Sequence, residues 1–178
     1  DPARTGLFVA TSDAGAAASI GLWAEALAQG PGFASPRDFP WTLASSPAGH
    51  IAARLQIRGP TYTLVGGGDA ATAALCHALD ALSSGPIDHA LVVALDLTPA
   101  LHPDDGHAGL AALRLGAASP DGQWRLQATT GPGLVVGGTF AVPLLAALCR
   151  AHDHAESLVV GDPHEGWIAL SPSPSSSR

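Results

Sequence analysis

Residues 61–96 read TYTLVGGGDAATAALCHALDALSSGPIDHALVVALD, and their order decides the fold. Thr61, Tyr62, Thr63, Leu64 and Val65 are β-branched, aromatic or aliphatic, the composition of a strand. Gly66, Gly67 and Gly68 then let the backbone turn, and Asp69 opens a helical pattern that continues to residue 82. Ser83-Ser84-Gly85-Pro86 stops it. Residues 90–95 (ALVVAL) are continuously apolar, as a strand buried on both faces requires. Strand, glycine turn, helix, turn and strand make a βαβ unit, which places the chain in the α/β class.

Reading outward, residues 6–12 (GLFVATS) predict a buried strand ending in a polar turn. Residues 14–29 predict an Ala-rich helix, with Asp13 as its N-cap and Gly30-Pro31 as its stop. Ile20, Trp23 and Leu27 recur at helical spacing and are expected in the core. A Pro- and aromatic-rich loop follows. Ser46-Pro47 then opens a helix to about residue 56, and Gly59-Pro60 makes the turn into the strand at Thr61. On the other side, residues 108–115 and 124–129 flank Ser119-Pro120-Asp121-Gly122, a hairpin signal. Residues 131–138 are Gly-rich and residues 140–152 predict a helix. Residues 157–160 and 167–170 predict two last strands. The expectation is one domain over residues 1–170, followed by a disordered Ser/Pro tail at 171–178. The expected architecture is a mixed five-stranded sheet with helices on both faces and a reduced C-terminal part.

Composition narrows the function. The chain has 178 residues, enough for one ordinary domain with a sizeable core. It is 47% hydrophobic but only 13% charged, about half the usual charged share. Lysine is absent, all eight basic side chains are Arg, and the formal net charge is −7. No basic stripe exists to neutralise phosphates, so neither a nucleic-acid partner nor an anionic membrane surface is expected. No apolar run reaches the length of a membrane span. Cys76 and Cys149 fall inside predicted helices and read as reduced, packed thiols, which fits a cytoplasmic protein. The chain opens at Asp1 with neither Met nor a signal-peptide pattern. So much apolar surface with so few charges points to a subunit whose face is covered by a partner.

Four stretches carry a family resemblance: Phe39-Pro40-Trp41-Thr42-Leu43, Pro47-Ala48-Gly49-His50-Ile51-Ala52, Gly59-Pro60-Thr61-Tyr62-Thr63-Leu64 and Gly85-Pro86-Ile87-Asp88-His89-Ala90-Leu91-Val92-Val93. Their order and spacing resemble the N-terminal half of β-ketoacyl synthases of the thiolase superfamily. There a "pAGxIA" helix and a "GPxxT" strand lead to a nucleophile elbow, followed by a helix and a "G-x-x-D-x-A-L-V" strand. The opening GLFVAT resembles the family's first strand, and the resemblance covers most of residues 6–96. It continues weakly through Ala111-Ala112-Leu113-Arg114-Leu115. Measured against that family, the first strand and helices of a complete half are expected to lie upstream of Gly6.

The departures decide the expected role. Active synthases of the family carry a Cys eight residues after the Pro of the GP motif; here that residue is Gly68. The chemistry needs a thiolate at a helix N-terminus, beside backbone N–H groups that can hold an oxyanion. Glycine has no side chain to supply it, and Cys76 lies about two turns into the helix. Of the family's two His motifs, the first has no counterpart. Gly137-Gly138-Thr139-Phe140 faintly resembles the second, without its Asn or His. The resemblance therefore implies a non-catalytic, chain-length-factor type of subunit, a pseudoenzyme with no catalytic residue and no cofactor. The short forms beside aryl-polyene synthases carry an Asp after the lost nucleophile, as Asp69 does here. They also end in a helix similar to Val142-Pro143-Leu144-Leu145-Ala146-Ala147-Leu148-Cys149-Arg150. Such a subunit pairs with an active β-ketoacyl synthase in polyene, polyketide or fatty-acid-like synthesis and meets acyl carrier protein through that complex. The strand Thr61, Tyr62, Thr63, Leu64, Val65 is implied as the dimer interface. Ala17, Ile20 and Ala24, on nearly one helical face, are implied as tunnel or gate residues.

Competing readings are weaker in the residues. Gly66-Gly67-Gly68-Asp69 lacks the GK[ST] end of a P-loop and the spacing of a dinucleotide fingerprint. The glycines are read instead as a degenerate elbow, and Asp69 as a helix N-cap or a gate to a shared tunnel. The groups His102, Asp104, Asp105, His107 and His152, Asp153, His154, Asp162, His164 lack metal-ligand spacing on a rigid element, so no metal is expected. No G-x-S-x-G elbow exists. Two alternatives stay open: a stand-alone binding or scaffold protein that kept the fold, and an enzyme with chemistry relocated to Asp69 or a histidine.

Overall fold

The computed structural model describes residues 1–66, 68–97, 109–116, 124–129, 134–135, 142–154, 158–162 and 166–172. Its first sheet has the order β2-β1-β3-β4, from β1 (Thr5–Thr11), β2 (Thr61–Val65), β3 (His89–Asp96) and β4 (Gly109–Gly116). Strands β2, β1 and β3 run parallel, and β4 closes the far edge antiparallel to β3. The strand–helix–strand unit read from residues 61–96 is present, but its two strands are not neighbours: β1 lies between them. That position explains why Leu7, Phe8, Val9 and Ala10 are all completely buried.

Helices cover both faces of this sheet, as expected. Alternation along the strands sorts the side chains. Phe8 and Ala10 of β1 and Ala90, Val92 and Ala94 of β3 face α3 (Gly68–Ser84) and α4 (Val142–Asp153). Leu7, Val9 and Val93 face α2 (Ser46–Leu55) through Ala48, Ile51 and Ala52. On β4 only alternate residues are sheltered, Ala111, Leu113 and Leu115, as befits an edge strand with one covered face.

The expected fifth strand belongs elsewhere. Strands β5 (Trp124–Thr129), β6 (Leu134–Val135), β7 (Leu158–Asp162) and β8 (Gly166–Pro172) form a second sheet of order β5-β8-β7-β6. Among the described residues the first sheet therefore has four strands rather than the expected five. The hairpin signal between residues 115 and 124 misleads for the same reason: β5 pairs with β8, not with β4. A turn sequence reports that the chain reverses locally, not which strand the emerging segment meets. Both α3 and α4 touch both sheets, and Leu170 of β8 joins their core, so these helices form a layer between the sheets. Ser171 and Pro172, expected in the tail, lie in β8; residues 173–178 lie outside the described residues.

One helix departs from expectation. α1 (Ala16–Gln29) has no buried residue and rests mainly on the short 3-10 turns Pro31–Phe33 and Phe39–Thr42. Ile20, Trp23 and Leu27 are 53%, 67% and 82% exposed, so they are not core. Asp13 is not the helix cap either; α1 starts after Gly15, with no side-chain cap. Gly15 has φ +87°, and a Cβ there would lie 2.5 Å from the Thr42 carbonyl oxygen, so a side chain is excluded twice over. Gly59 is a second such contact: a Cβ would lie 2.3 Å from the Thr5 carbonyl oxygen, where the turn into β2 crosses the start of β1.

Candidate functional site: a glycine elbow beside an open sheet edge

Strand β2 leaves the sheet at Val65, and the Gly66 N–H donates to the Thr11 carbonyl of β1 at 2.9 Å. Gly67 lies outside the described residues, and Gly68 is the first residue of α3. β2 thus leads into α3 across the stretch that the sequence reads as an elbow, and the residue at the helix start carries no side chain. Asp69 sits just inside the helix rather than at the cap before it. It is exposed in the first turn, and its Oδ1 accepts the Ala70 N–H at 2.9 Å. A carboxylate there opposes the positive end of the helix dipole.

The elbow borders an open groove of about 340 Å³, lined by Leu64, Val65, Asp69, Ala70, Ala73 and His77. Four of its lining side chains are aliphatic, and Asp69 and His77 are the polar ones. His77 is held in place by aromatic stacking. The buried Phe8 ring stacks on Tyr62 at 5.6 Å between centroids, and Tyr62 stacks on His77 at 6.2 Å. The stack runs from the core to the surface.

β2 is also the outer strand. Among the described residues nothing pairs with its outer edge. Thr61, Tyr62 and Val65 are exposed, the last two at 54% and 63%, while Thr63 and Leu64 are half-buried. Such an edge invites pairing with another chain. Ala17, Ile20 and Ala24 of α1 all lie on the exposed surface, and none of them lines the groove beside the elbow.

A polar cluster at the C-terminal ends of β1 and β3 escaped the sequence reading. Asp96 is 1% exposed; its Oδ1 accepts the Ser12 N–H at 3.1 Å and the Ser12 hydroxyl at 2.7 Å. Its Oδ2 accepts the Val142 N–H at 2.9 Å and so caps α4. Asp13, 5% exposed, reciprocates by accepting the Leu97 N–H at 2.8 Å. The Thr11 hydroxyl accepts the N–H groups of Asp13 and Ala14. The signal was legible: each apolar strand run ends abruptly in an acid or hydroxyl residue. These bonds hold rigid the end of the sheet from which the elbow departs.

Other candidates separate. Cys76 is half-buried on α3 and packs against the core, well along the helix from Gly68. The Cys149 thiol points at the Ala112 carbonyl at 3.7 Å, and burial, aided by the Asp153 carboxylate, pushes its pKa up. No group of three potential metal ligands occurs among the described residues. Of the two His/Asp groups, residues 102–107 and His164 lie outside them, and Asp153 and His154 are exposed. Residues 137–140 lie outside them as well. No helix among the described residues is long and apolar enough to cross a membrane.

The comparisons with known proteins agree with this geometry. The family model of the β-ketoacyl synthase N-terminal domain matches residues 1–151. No curated protein matches the chain. Among solved structures, the fold is similar to a ketosynthase (ApeO) in complex with its chain length factor (ApeC) from Xenorhabdus doucetiae. The TM-score is 0.68 at 16% identity, covering 94% of this chain and 69% of that one. It is likewise similar to the ishigamide ketosynthase/chain length factor, with TM-score 0.65 and 13% identity over 96% of this chain and 72% of that one. A third likeness is to AntDE:AntF, a type II PKS acyl-carrier protein in complex with its ketosynthase bound to the hexaketide. There the TM-score is 0.50 at 19% identity, and the match covers 54% of this chain and 28% of that one. At these identities the likeness establishes the fold.

Proposed function

The chain belongs to the β-ketoacyl synthase N-terminal domain family, and from that premise we propose that it is a non-catalytic, chain-length-factor-like subunit. It pairs with an active β-ketoacyl synthase and shapes the space into which that enzyme's acyl chain grows. The observation that carries this reading is Gly68 at the first residue of α3. A strand leads into a helix start here, as in a nucleophile elbow, but acyl transfer through a covalent thioester needs a thiolate there. Glycine offers only backbone. The active partner then supplies the Cys, the His residues and most of the acyl-carrier-protein docking surface.

Two further features support pairing. The outer strand β2 has a hydrogen-bonding edge open to a partner strand, bordered by exposed Tyr62 and Val65. The second is the exposed apolar face of α1, with Ile20, Trp23 and Leu27. A contiguous exposed apolar face of this kind marks an interaction site. In this reading Ala17, Ile20 and Ala24 lie against the partner, and their bulk limits the length of the growing chain.

Co-purification with an active β-ketoacyl synthase tests the pairing. A one-to-one complex by light scattering is expected, lost when Thr61 and Val65 are both replaced by Lys, because charged side chains on an edge strand oppose pairing. A chain that ignores the synthase, with its fold intact by circular dichroism, overturns the reading.

A further inference from the structure

We propose that residues 16–43, which carry α1 and the two short 3-10 turns it rests on, form a strap that opens and closes as one unit while the sheets stay folded. The strap is a property of the single chain, set by where its contacts lie.

No residue from Gly15 to Pro47 is buried, and neither cluster of core side chains includes one of them. Among the described residues, the hydrogen bonds of residues 16–43 all end within residues 13–46. Glu25 of α1 accepts the Ser35 N–H at 3.1 Å, the Thr42 hydroxyl donates to the Phe39 carbonyl at 2.7 Å, and the Ser46 hydroxyl donates to the Pro40 carbonyl. A segment bonded to itself in this way can leave the sheets without breaking a hydrogen bond in them. α1 has 14 residues, no side-chain N-cap, no acid in its first turn and no base in its last. A helix of about that length is marginal in water by itself. It therefore melts as a whole once it parts from the turns beneath it, and the opening is cooperative. Segments with few buried apolar contacts are the ones that open while the rest of a fold holds.

Both ends of the strap are anchored. At one end the Thr11 hydroxyl accepts the Asp13 and Ala14 N–H groups, and Asp13 accepts the Leu97 N–H. At the other, Ala48 of α2 is 1% exposed and packs with Leu7, Val9 and Val93. Between the anchors, the Trp41 ring stacks on the His50 imidazole of α2 at 4.3 Å, and both side chains are exposed. This stack is the latch. It ties the strap to a helix rooted in the core, and it can part without uncovering a buried side chain. The consequence for function rests on pairing with a synthase. Ala17, Ile20 and Ala24 lie on the strap, so the wall they form is loose in the single chain. It becomes fixed when a synthase covers Ile20, Trp23 and Leu27, and the subunit limits chain length only when assembled.

Native-state amide exchange on the full chain, alone and at low denaturant, tests the strap. The hydrogen-bonded amides of α1 should share one opening and exchange roughly 100-fold faster than those of β1 and β3. His50→Ala removes the latch and Glu25→Ala the tie to Ser35. Each should speed exchange in α1 by about three- to tenfold and leave β1 and β3 unchanged. Amides of α1 as protected as those of the strands overturn the proposal. So does exchange that varies residue by residue along α1, or variants that leave α1 unchanged or speed strands and helix alike. With a synthase bound, exchange in α1 should slow toward that of the strands; a complex in which it stays fast overturns the closing of the strap and leaves the pairing intact. Absence of any complex counts against the pairing, and the strap is then judged on the exchange of the chain alone.

Discussion

At the scale of single residues, the molecule's most demanding positions are a buried carboxylate and a glycine. Asp96 accepts three hydrogen bonds, two from Ser12 and one from Val142, and so ties β1, β3 and α4 together. Replacing it by Ala leaves those donors short of a partner in the interior. Asp96→Ala should lower the unfolding free energy by roughly 2–3 kcal/mol, read as a lower urea midpoint with an unchanged slope. Gly15→Ala forces a Cβ toward the Thr42 carbonyl at a left-handed backbone position and should cost about 1–3 kcal/mol in the same assay. The ion pair of Arg4 and Asp88, 2.7 Å long, behaves differently because both side chains are about half exposed. The Arg4 hydrogen bond holds the Asp88 carboxyl below the usual carboxylate range. The native state therefore resists a proton that the unfolded chain would take. The resulting stabilisation is present above the ordinary carboxylate pKa and disappears as pH falls through the lowered one. An NMR titration should place the Asp88 midpoint below that of a free aspartate, and Arg4→Ala should raise it. The Cys149 thiol is shifted the other way, by burial first. Its alkylation should be slower at neutral pH than that of an unhindered thiol and accelerate only in more alkaline solution.

Elements show where the sequence was legible and where it was not. β1, β2, β3, α2, α3 and α4 could be read within a few residues of their ends because period and punctuation agreed: GLFVAT is apolar on both faces, Gly59-Pro60 precedes β2, and Gly85-Pro86 follows α3. Pairing was less legible. Nothing in residues 61–96 says that β1 will lie between their two strands, and the Ser119–Gly122 turn does not say that β5 will meet β8. Neighbours in a sheet are set by long-range packing, whereas turn chemistry is local. α1 shows a third limit. Its spacing of Ile20, Trp23 and Leu27 is that of an amphipathic helix, but periodicity reports an apolar face without saying what covers it. In this chain that face is exposed. Trp23→Ser with Leu27→Ser should therefore change the stability of the isolated chain by less than about 0.5 kcal/mol, while reducing its aggregation at high concentration. A large loss of stability would mean that α1 packs as core after all. The site was half legible. The glycine elbow and Asp69 stood out as a motif, but the groove residues Ala73 and His77 did not. They become neighbours of Leu64 and Val65 only once α3 lies back along β2.

At the scale of the whole molecule, the described residues form a layered framework in which β2 is an outer strand. Two sheets enclose the α3–α4 layer, the polar cluster at Asp13 and Asp96 locks the strand ends, and β2 and α1 carry the exposed apolar side chains. β2 leads into α3, which starts at Gly68, and in the proposed reading Gly68 stands where an active synthase presents its nucleophile. If that reading holds, the value of the frame lies in what it does to a neighbour. Reconstitution tests that most directly: an active β-ketoacyl synthase is supplied with acyl carrier protein and extender units, with and without this chain, and the length of the products is measured. The account predicts elongation only, or to a defined length only, when both subunits are present. It also predicts shorter products with Ala17→Phe or Ala24→Phe at unchanged complex stability. Product length and yield that are the same with and without this chain would contradict it.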